Sequence, residues 1–411
     1  MTYECPALRI GGRVSAPHQE VDNADFIIDN IICKVVNRRH VMLTITERRL
    51  SMTGVRARGE GVRRYIIENI EKYPSDISRK TSEHFKITRQ AVNKHLQRLV
   101  AEKMIRETGK TRSRVYRLSP LIEWKRAYEI VPGLPEDVIW TDDVRPALGQ
   151  IPDNVRNIWH HGFTEMFNNA VDHSGGTRIN VQIRKTAANT EMLLWDNGIG
   201  IFKKIQSAMG LLDERHAVLE LAKGKFTTDP KNHSGEGIFF TSRMFDSFDI
   251  LSGGVFFSHQ FGDPSDWISE ADQTHSGTFV WMKLYNHTAR TTRKIFDQYT
   301  SSDGDFTFSK TVVPVKLTKY GDDNLISRSQ AKRLLSRIEL FKKVILDFNE
   351  VPTIGQAFAD EIFRVFTKAH PEVEIVAIKA NSEVKKMIDR AKSAGVVGSS
   401  GFSESSFPGG D

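Results

Sequence analysis

The stretch FTEMFNNAVDHS, residues 163–174, decides how the middle of this chain is read. It closes a run over roughly 153–173 in which Val155, Trp159, Phe163, Met166 and Ala170 recur at helical spacing, so one face of a helix is predicted to turn toward a core. Glu165, Asn169 and Asp172 fall at i, i+4 and i+7 of that helix and form a polar row beside the stripe. Such a row is ordinarily a solvated face. It can also hold a metal: Asn169 offers Mg²⁺ a neutral oxygen, and Glu165, one turn earlier, can orient or deprotonate a water for attack on a phosphate.

Downstream, two predicted strands, RINVQIRK and EMLLW, run into Asp196, Asn197, Gly198, Ile199 and Gly200. This DNG reads as a hairpin turn. Its functional alternative is a carboxylate that accepts an adenine amino group, with Gly198 and Gly200 letting backbone approach the base where a Cβ would collide. Next, HSGEG over 233–237 precedes the apolar run IFFTSRMF. Gly235 and Gly237 at a helix start leave backbone N–H groups and a positive dipole end open to phosphate oxygens. Gly277 and Thr278 then open the strand TFVWMKL, with a hydroxyl at its entrance.

Each element alone has a structural explanation; their order and spacing form the specific signal. FTEMFNNAVDHS resembles the N box, WDNGIGI the first glycine box, HSGEGIFF the second and SGTFVWMKL the closing Thr strand of the GHKL (Bergerat) superfamily. That superfamily includes gyrase, heat-shock chaperones, mismatch-repair ATPases, sensor histidine kinases and anti-sigma-factor kinases. The resemblance covers 151–290 and implies an α/β sandwich that binds ATP and Mg²⁺. It implies Asn169 as the metal ligand, Asp196 as the adenine reader and Glu165 as the catalytic base. Asp172, Gly198, Gly200, Lys231, Gly235, Gly237 and Thr278 complete the implied nucleotide site. Residues 202–234 are then the lid, with Lys225 or Lys231 available to a γ-phosphate. The second box has two glycines where many relatives have three, which predicts slow turnover.

The net charge is +7, and residues 61–118 alone hold 15 Lys and Arg against 6 Asp and Glu, which leaves the rest of the chain at −2. Val62, Tyr65, Ile66 and Ile70 predict a helix; Pro74 breaks it, and Asp76 can cap a second that runs to about Phe85. Thr88 can cap a third, whose buried stripe is Ala91, Val92, Leu96, Leu99 and Val100. Arg89, Gln90, Asn93, Lys94, Gln97 and Arg98 face outward, and MIRETGKTRSRVYRL reads as a hairpin around Gly109 with Lys110, Arg112 and Arg114 near its tip. This resembles a winged helix-turn-helix, which implies DNA as a partner: long-armed donors meet base edges and wing cations meet phosphates. A protein-docking winged helix with a solvated basic face is the alternative.

Residues 119–150, with Pro132, Pro135 and Pro146, read as a connector, and 1–60 carry no assignable function. From 306 to 394 strand and helix patterns alternate, predicting an α/β domain. Within it KKVILDFNEVPTIGQAFADEIFRVF resembles the strand-to-helix turn of STAS domains, and more closely a STAS-like family without assigned function. Anti-sigma-factor antagonists carry a phosphorylated Ser at that turn. Here Gly355, Gln356 and Ala357 stand there with only Thr353 nearby, which favours docking to a partner protein or to a second copy, as in a homodimer, over a phospho-switch. The tail 395–411 is Gly/Ser-rich and predicts disorder.

With 411 residues, 39% hydrophobic and 27% charged, the chain is predicted to form an α+β, multi-domain globular protein. No apolar stretch approaches the roughly 20 residues of a membrane span, so no membrane partner is expected. The N-terminus lacks an export pattern, giving a cytoplasmic expectation, and Cys5 and Cys33 read as reduced bystanders. His160 and His161 fall inside the N-box helix, and His84 and His95 in the basic module, where structural roles are expected, so no convincing phosphoacceptor His on a dimerisation helix precedes the ATP domain and histidine-kinase activity is disfavoured. The resulting expectation is a slowly hydrolysing ATPase that regulates transcription by coupling nucleotide state to DNA binding and partner docking. The alternatives are a Ser/Thr kinase of a partner-switching cascade and a DNA-dependent ATPase of host defence.

Overall fold

Thr88, Gly109 and Pro74 punctuate the first part of the fold. The computed structural model describes residues 55–110, 113–227, 234–262, 266–300, 307–319 and 324–396. Helix α1 (Val55–Asn69) ends before Pro74, α2 (Ile77–Phe85) follows, and α3 (Arg89–Ala101) starts where Thr88 Oγ1 accepts the Ala91 N–H at 3.2 Å. Asp76 stands at the N-cap position of α2, but its carboxylate pairs with Arg79 instead of the backbone. Strands β1 (Ile105–Thr108) and β2 (Val115–Leu118) form an antiparallel hairpin. The apolar stripes of the three helices close on Ile105, Tyr116 and Leu118, and Ala188, from the turn between Lys185 and Asn189, completes this small core.

The central sheet has five antiparallel strands: β3 (Ile122–Glu129), β4 (Arg178–Lys185), β5 (Asn189–Asp196), β6 (Ser247–Gln260) and β7 (Trp267–Tyr285), in the order β3-β4-β5-β7-β6. Part of the stretch expected to be a connector is thus the edge strand β3, followed by helical turns α4 over 136–148. Helix α5 (Asp153–His173) buries the predicted stripe, and also Ile158 and Phe167, against the sheet. Three shorter helices share that layer: α6 (Ile201–Met209), α7 (Glu214–Lys223) and α8 (Gly237–Met244).

Helix α9 (Thr292–Tyr299) leads to a second α/β layer. Strands β8 (Lys310–Pro314), β9 (Lys343–Asp347) and β10 (Glu374–Ile378) pair in parallel in the order β10-β9-β8, as the strand-helix alternation requires. Helices α10 (Arg328–Leu335), α11 over 356–369 and α12 (Ser382–Val396) connect and cover them. One hydrophobic core runs through both layers: Phe308 packs on Phe239 and Phe240 of α8 and on Phe341. The architecture is mixed α/β with several sheets. Among the described residues no helix is long and apolar enough to cross a membrane. Residues 1–54 and the tail 397–411 lie outside the described residues.

Candidate functional site

A pocket of about 290 Å³ opens between the C-terminal half of α5, the end of β5, α6 and the start of α8. Glu165, Asn169, Asp196, Gly200, Gly235, Gly237 and Thr278 all line it, so four stretches far apart in sequence converge on one cavity. Its walls are apolar at Leu194, Ile205, Leu221, Ile250 and Val280. A mostly apolar cleft with a few placed polar groups is the usual form of a small-molecule site.

Among the lining residues Asp196 is only 5% exposed. Burial raises its pKa to about 6, against the opposing effect of backbone N–H groups, among them that of Gly198 at 2.8 Å. Thr278 Oγ1 accepts the Ile201 N–H at 3.0 Å, fixing the start of α6 to the start of this strand segment. Gly198 does not line the pocket. A Cβ there would strike the Ser174 carbonyl, which also accepts the Ile199 N–H at 3.0 Å; the glycine lets the loop cross the end of α5. Gly200 has φ 86° and a Cβ there would meet Ser252, so the requirement for glycine comes from protein packing at both positions.

Gly237 opens α8, and a Cβ on it would overlap the Glu165 carboxylate, which therefore lies against the helix N-terminus. Gly235, at φ 72°, lets the chain cross the backbone of Phe226, whose N–H donates to the Gly235 carbonyl at 3.1 Å. The half-buried Asn169 amide has no hydrogen-bond partner among the described residues, and it lines the cavity one turn from Glu165. No cluster of three or more His, Cys, Asp and Glu side chains suited to a metal occurs among the described residues. An oxygen-loving cation bound here could take the Asn169 side chain as a ligand, with the rest of its shell from a bound molecule and water.

Several residues fall differently from the sequence pattern. Asp172 is exposed, off the pocket wall, and its charge acts on Lys204. Lys204 and His173 line the pocket without having stood out in sequence; Lys204 Nζ donates to the His173 carbonyl at 2.7 Å, and burial lowers its pKa. The signal for Lys204 was its place on the first turn of a helix directly after the glycine loop. Lys225 turns away, donating to the Leu340 carbonyl at 3.0 Å over the rings of Phe308 and Phe341. Lys231 lies outside the described residues.

On α3, Arg89, Gln90, Asn93, Lys94, Gln97 and Arg98 are all exposed on one side, as the stripe required, and Lys110 is exposed at the hairpin. Arg98 is held by Glu102 at 2.7 Å, and Asn93 Oδ1 accepts from Ser78 Oγ at 3.2 Å. Arg114 is half-buried, 3.5 Å from Glu107 and 3.5 Å from the Tyr116 hydroxyl, whereas Arg112 lies outside the described residues.

Residues 330–385 match the family described as a STAS-like domain of unknown function (DUF4325), so the C-terminal layer carries a STAS-like domain. No curated protein matches the chain. At the turn of interest Asp347 ends β9, accepting Lys379 Nζ at 2.8 Å, and Thr353 is exposed before Gly355 opens α11.

Proposed function

We propose that the pocket is a GHKL-type site for Mg·ATP, in a regulator whose basic winged helix binds DNA and whose STAS-like domain docks to a protein partner. The observation that supports the reading is the meeting of Glu165, Asn169, Asp196, Gly237 and Thr278, from four stretches far apart in sequence, in one cavity. Asp196, ionised above about pH 6, accepts the adenine amino group. The N-terminus of α8 at Gly237 offers N–H groups and a positive dipole to phosphate oxygens. Asn169 holds the metal, and the chemistry a bound Mg²⁺ supplies is neutralisation of charge on the phosphates. Glu165 takes the proton of a water whose oxygen bonds to the γ-phosphorus as the β–γ bridging bond breaks, releasing ADP and phosphate. With two glycines at the phosphate loop where many relatives have three, turnover is expected to be slow.

The experiment is calorimetric titration with ATP and Mg²⁺ plus phosphate release, for the natural chain, Asn169→Ala and Glu165→Ala. The reading expects binding lost in the first, and binding kept with release lost in the second. No heat with any adenine nucleotide in the natural chain sinks it. Support for the DNA arm is the +9 charge surplus over 61–118 and the exposed row on α3. DNA affinity is expected to differ between ATP-bound and empty states at fixed salt, because a ligand shifts a two-state equilibrium only by binding one state better. Equal affinities would separate the two modules.

A further inference from the structure

Helix α7 lies in the stretch read as an outer lid, yet every residue from His216 to Lys223 is buried, charged ones included. Lys223 is fully buried, and its ammonium donates to Glu220 at 2.7 Å and to the carbonyls of Ser336 at 2.8 Å and Arg333 at 3.0 Å. Glu220 gives its second oxygen to Arg337 Nη1 at 2.9 Å. Arg337 Nη2 reaches the Gly224 carbonyl at 3.0 Å, and its guanidinium lies 5.1 Å from the centre of the Phe226 ring. Arg337 adopts φ 63°, a costly conformation for a residue with a Cβ, held in place by these contacts. Arg333, Ser336 and Arg337 belong to the STAS-like region; Leu221 and Phe226 line the pocket.

We infer that Arg337 is a positioning residue for the pocket: from the STAS-like domain it fixes the 220–226 wall through Glu220, Gly224 and Phe226, so that domain sets the pocket's affinity for its ligand. The planar guanidinium makes two directed bonds to two separate groups and covers an aromatic face, which a lysine ammonium cannot do together. Two cations share one buried carboxylate, so neither the pocket wall nor the STAS-like domain can shift without leaving a buried charge unpaired. Movement of the domain, for example on docking its partner, therefore moves Phe226.

The nucleotide arm of the test rests on the function proposed above, so two readouts are taken on the full chain. Arg337→Met and Arg337→Lys are compared with the natural chain at a temperature where circular dichroism shows all three folded. Hydrogen exchange of amides in 220–226 is expected to rise at least tenfold in Arg337→Met, and about threefold in Arg337→Lys, without any ligand. The dissociation constant for Mg·ATP is expected to rise at least fivefold in Arg337→Met, and Glu220→Gln/Arg337→Met to bind no more weakly than Arg337→Met alone. A purely structural residue would lower the melting temperature and leave the affinity of the folded protein within twofold; that result, or unchanged exchange in 220–226, overturns the inference. A natural chain that binds no nucleotide overturns the proposed function alone, and the exchange arm still decides on Arg337.

Discussion

Lys283, 4% exposed on β7, donates to Glu71 at 2.9 Å, and Glu71 stands in the turn after α1 at the base of the basic module. Lys283 also reaches Glu191 at 3.2 Å across the β5–β7 register, and Asn189 Nδ2 touches the same Glu71 oxygen at 3.4 Å. Both strands lead to the pocket: β5 ends at Asp196, and β7 carries Thr278 five residues before Lys283. The β5–β7 strand pair thus joins Asp196 and Thr278 to the proposed DNA module through Glu71. Glu71→Ala is expected to lower stability by about 1.5–3 kcal/mol, the range for a charge-assisted hydrogen bond, read by urea unfolding. It should also bring the ratio of DNA affinities with and without ATP toward one. A ratio unchanged from that of the natural chain excludes this route.

Asp196 gives a pH dependence with a definite sign. Its folded pKa, raised by burial to about 6, lies above the unfolded value, so its contribution to stability is full below pH 3.8 and is lost as pH rises through 6. Asp196→Asn should therefore stabilise the ligand-free protein at pH 8, by at most about 3 kcal/mol for a shift of this size. Ligand binding runs the other way, because only the carboxylate accepts strongly from an amino group. ATP affinity of the natural chain is expected to fall tenfold per unit below pH 6, and in Asp196→Asn to be weaker and flat. A natural chain whose affinity is level from pH 5 to 8 removes Asp196 from the role of adenine reader.

Gly237→Ala separates packing from folding. The backbone there is helical, and alanine at the first turn of α8 carries no propensity penalty, so the fold is expected to survive with a melting temperature within a few degrees. The new methyl group displaces the Glu165 carboxylate, and phosphate release should drop more than tenfold while ATP still binds. Retained turnover would show that Glu165 acts from another position or does not act as the base.

The parts of the site that were legible in sequence are those set by short-range rules. The stripe and polar row on α5 follow from helical period, and the helix start at Gly237 follows from glycines before an apolar run. What those glycines accommodate was not legible, because Gly198 clears Ser174, Gly200 clears Ser252 and Gly235 clears Phe226, contacts between residues up to 52 positions apart. Strand β3 hid behind IEWKRAYE, a sheet edge in which Ile122, Trp124 and Tyr128 alternate but are only partly buried and Arg126 interrupts the pattern. The burial of α7 depends on Arg333, Ser336 and Arg337, more than a hundred residues onward, and its charged sequence reads as solvated until those partners are placed.

His161 lies on the buried side of α5, edge-on to Phe296, and burial, with a smaller contribution from His160, lowers its pKa from 6.5 to about 4. A histidine with a depressed folded pKa favours the native state fully above pH 6.5, and this contribution is lost as pH falls toward 4, because the unfolded chain takes up the proton first. The expected loss is about 3 kcal/mol over that window. His161→Phe keeps an aromatic ring against Phe296 and removes the proton, so its stability should decline less than that of the natural chain between pH 6.5 and 4. Asp196 acts with the opposite sign across pH 4 to 6, so the two are separated by measuring His161→Phe in the Asp196→Asn background, where only the histidine contribution remains. If the two chains of that background lose stability in parallel down to pH 4, His161 is protonated in the folded state and the core around α5 admits its charge.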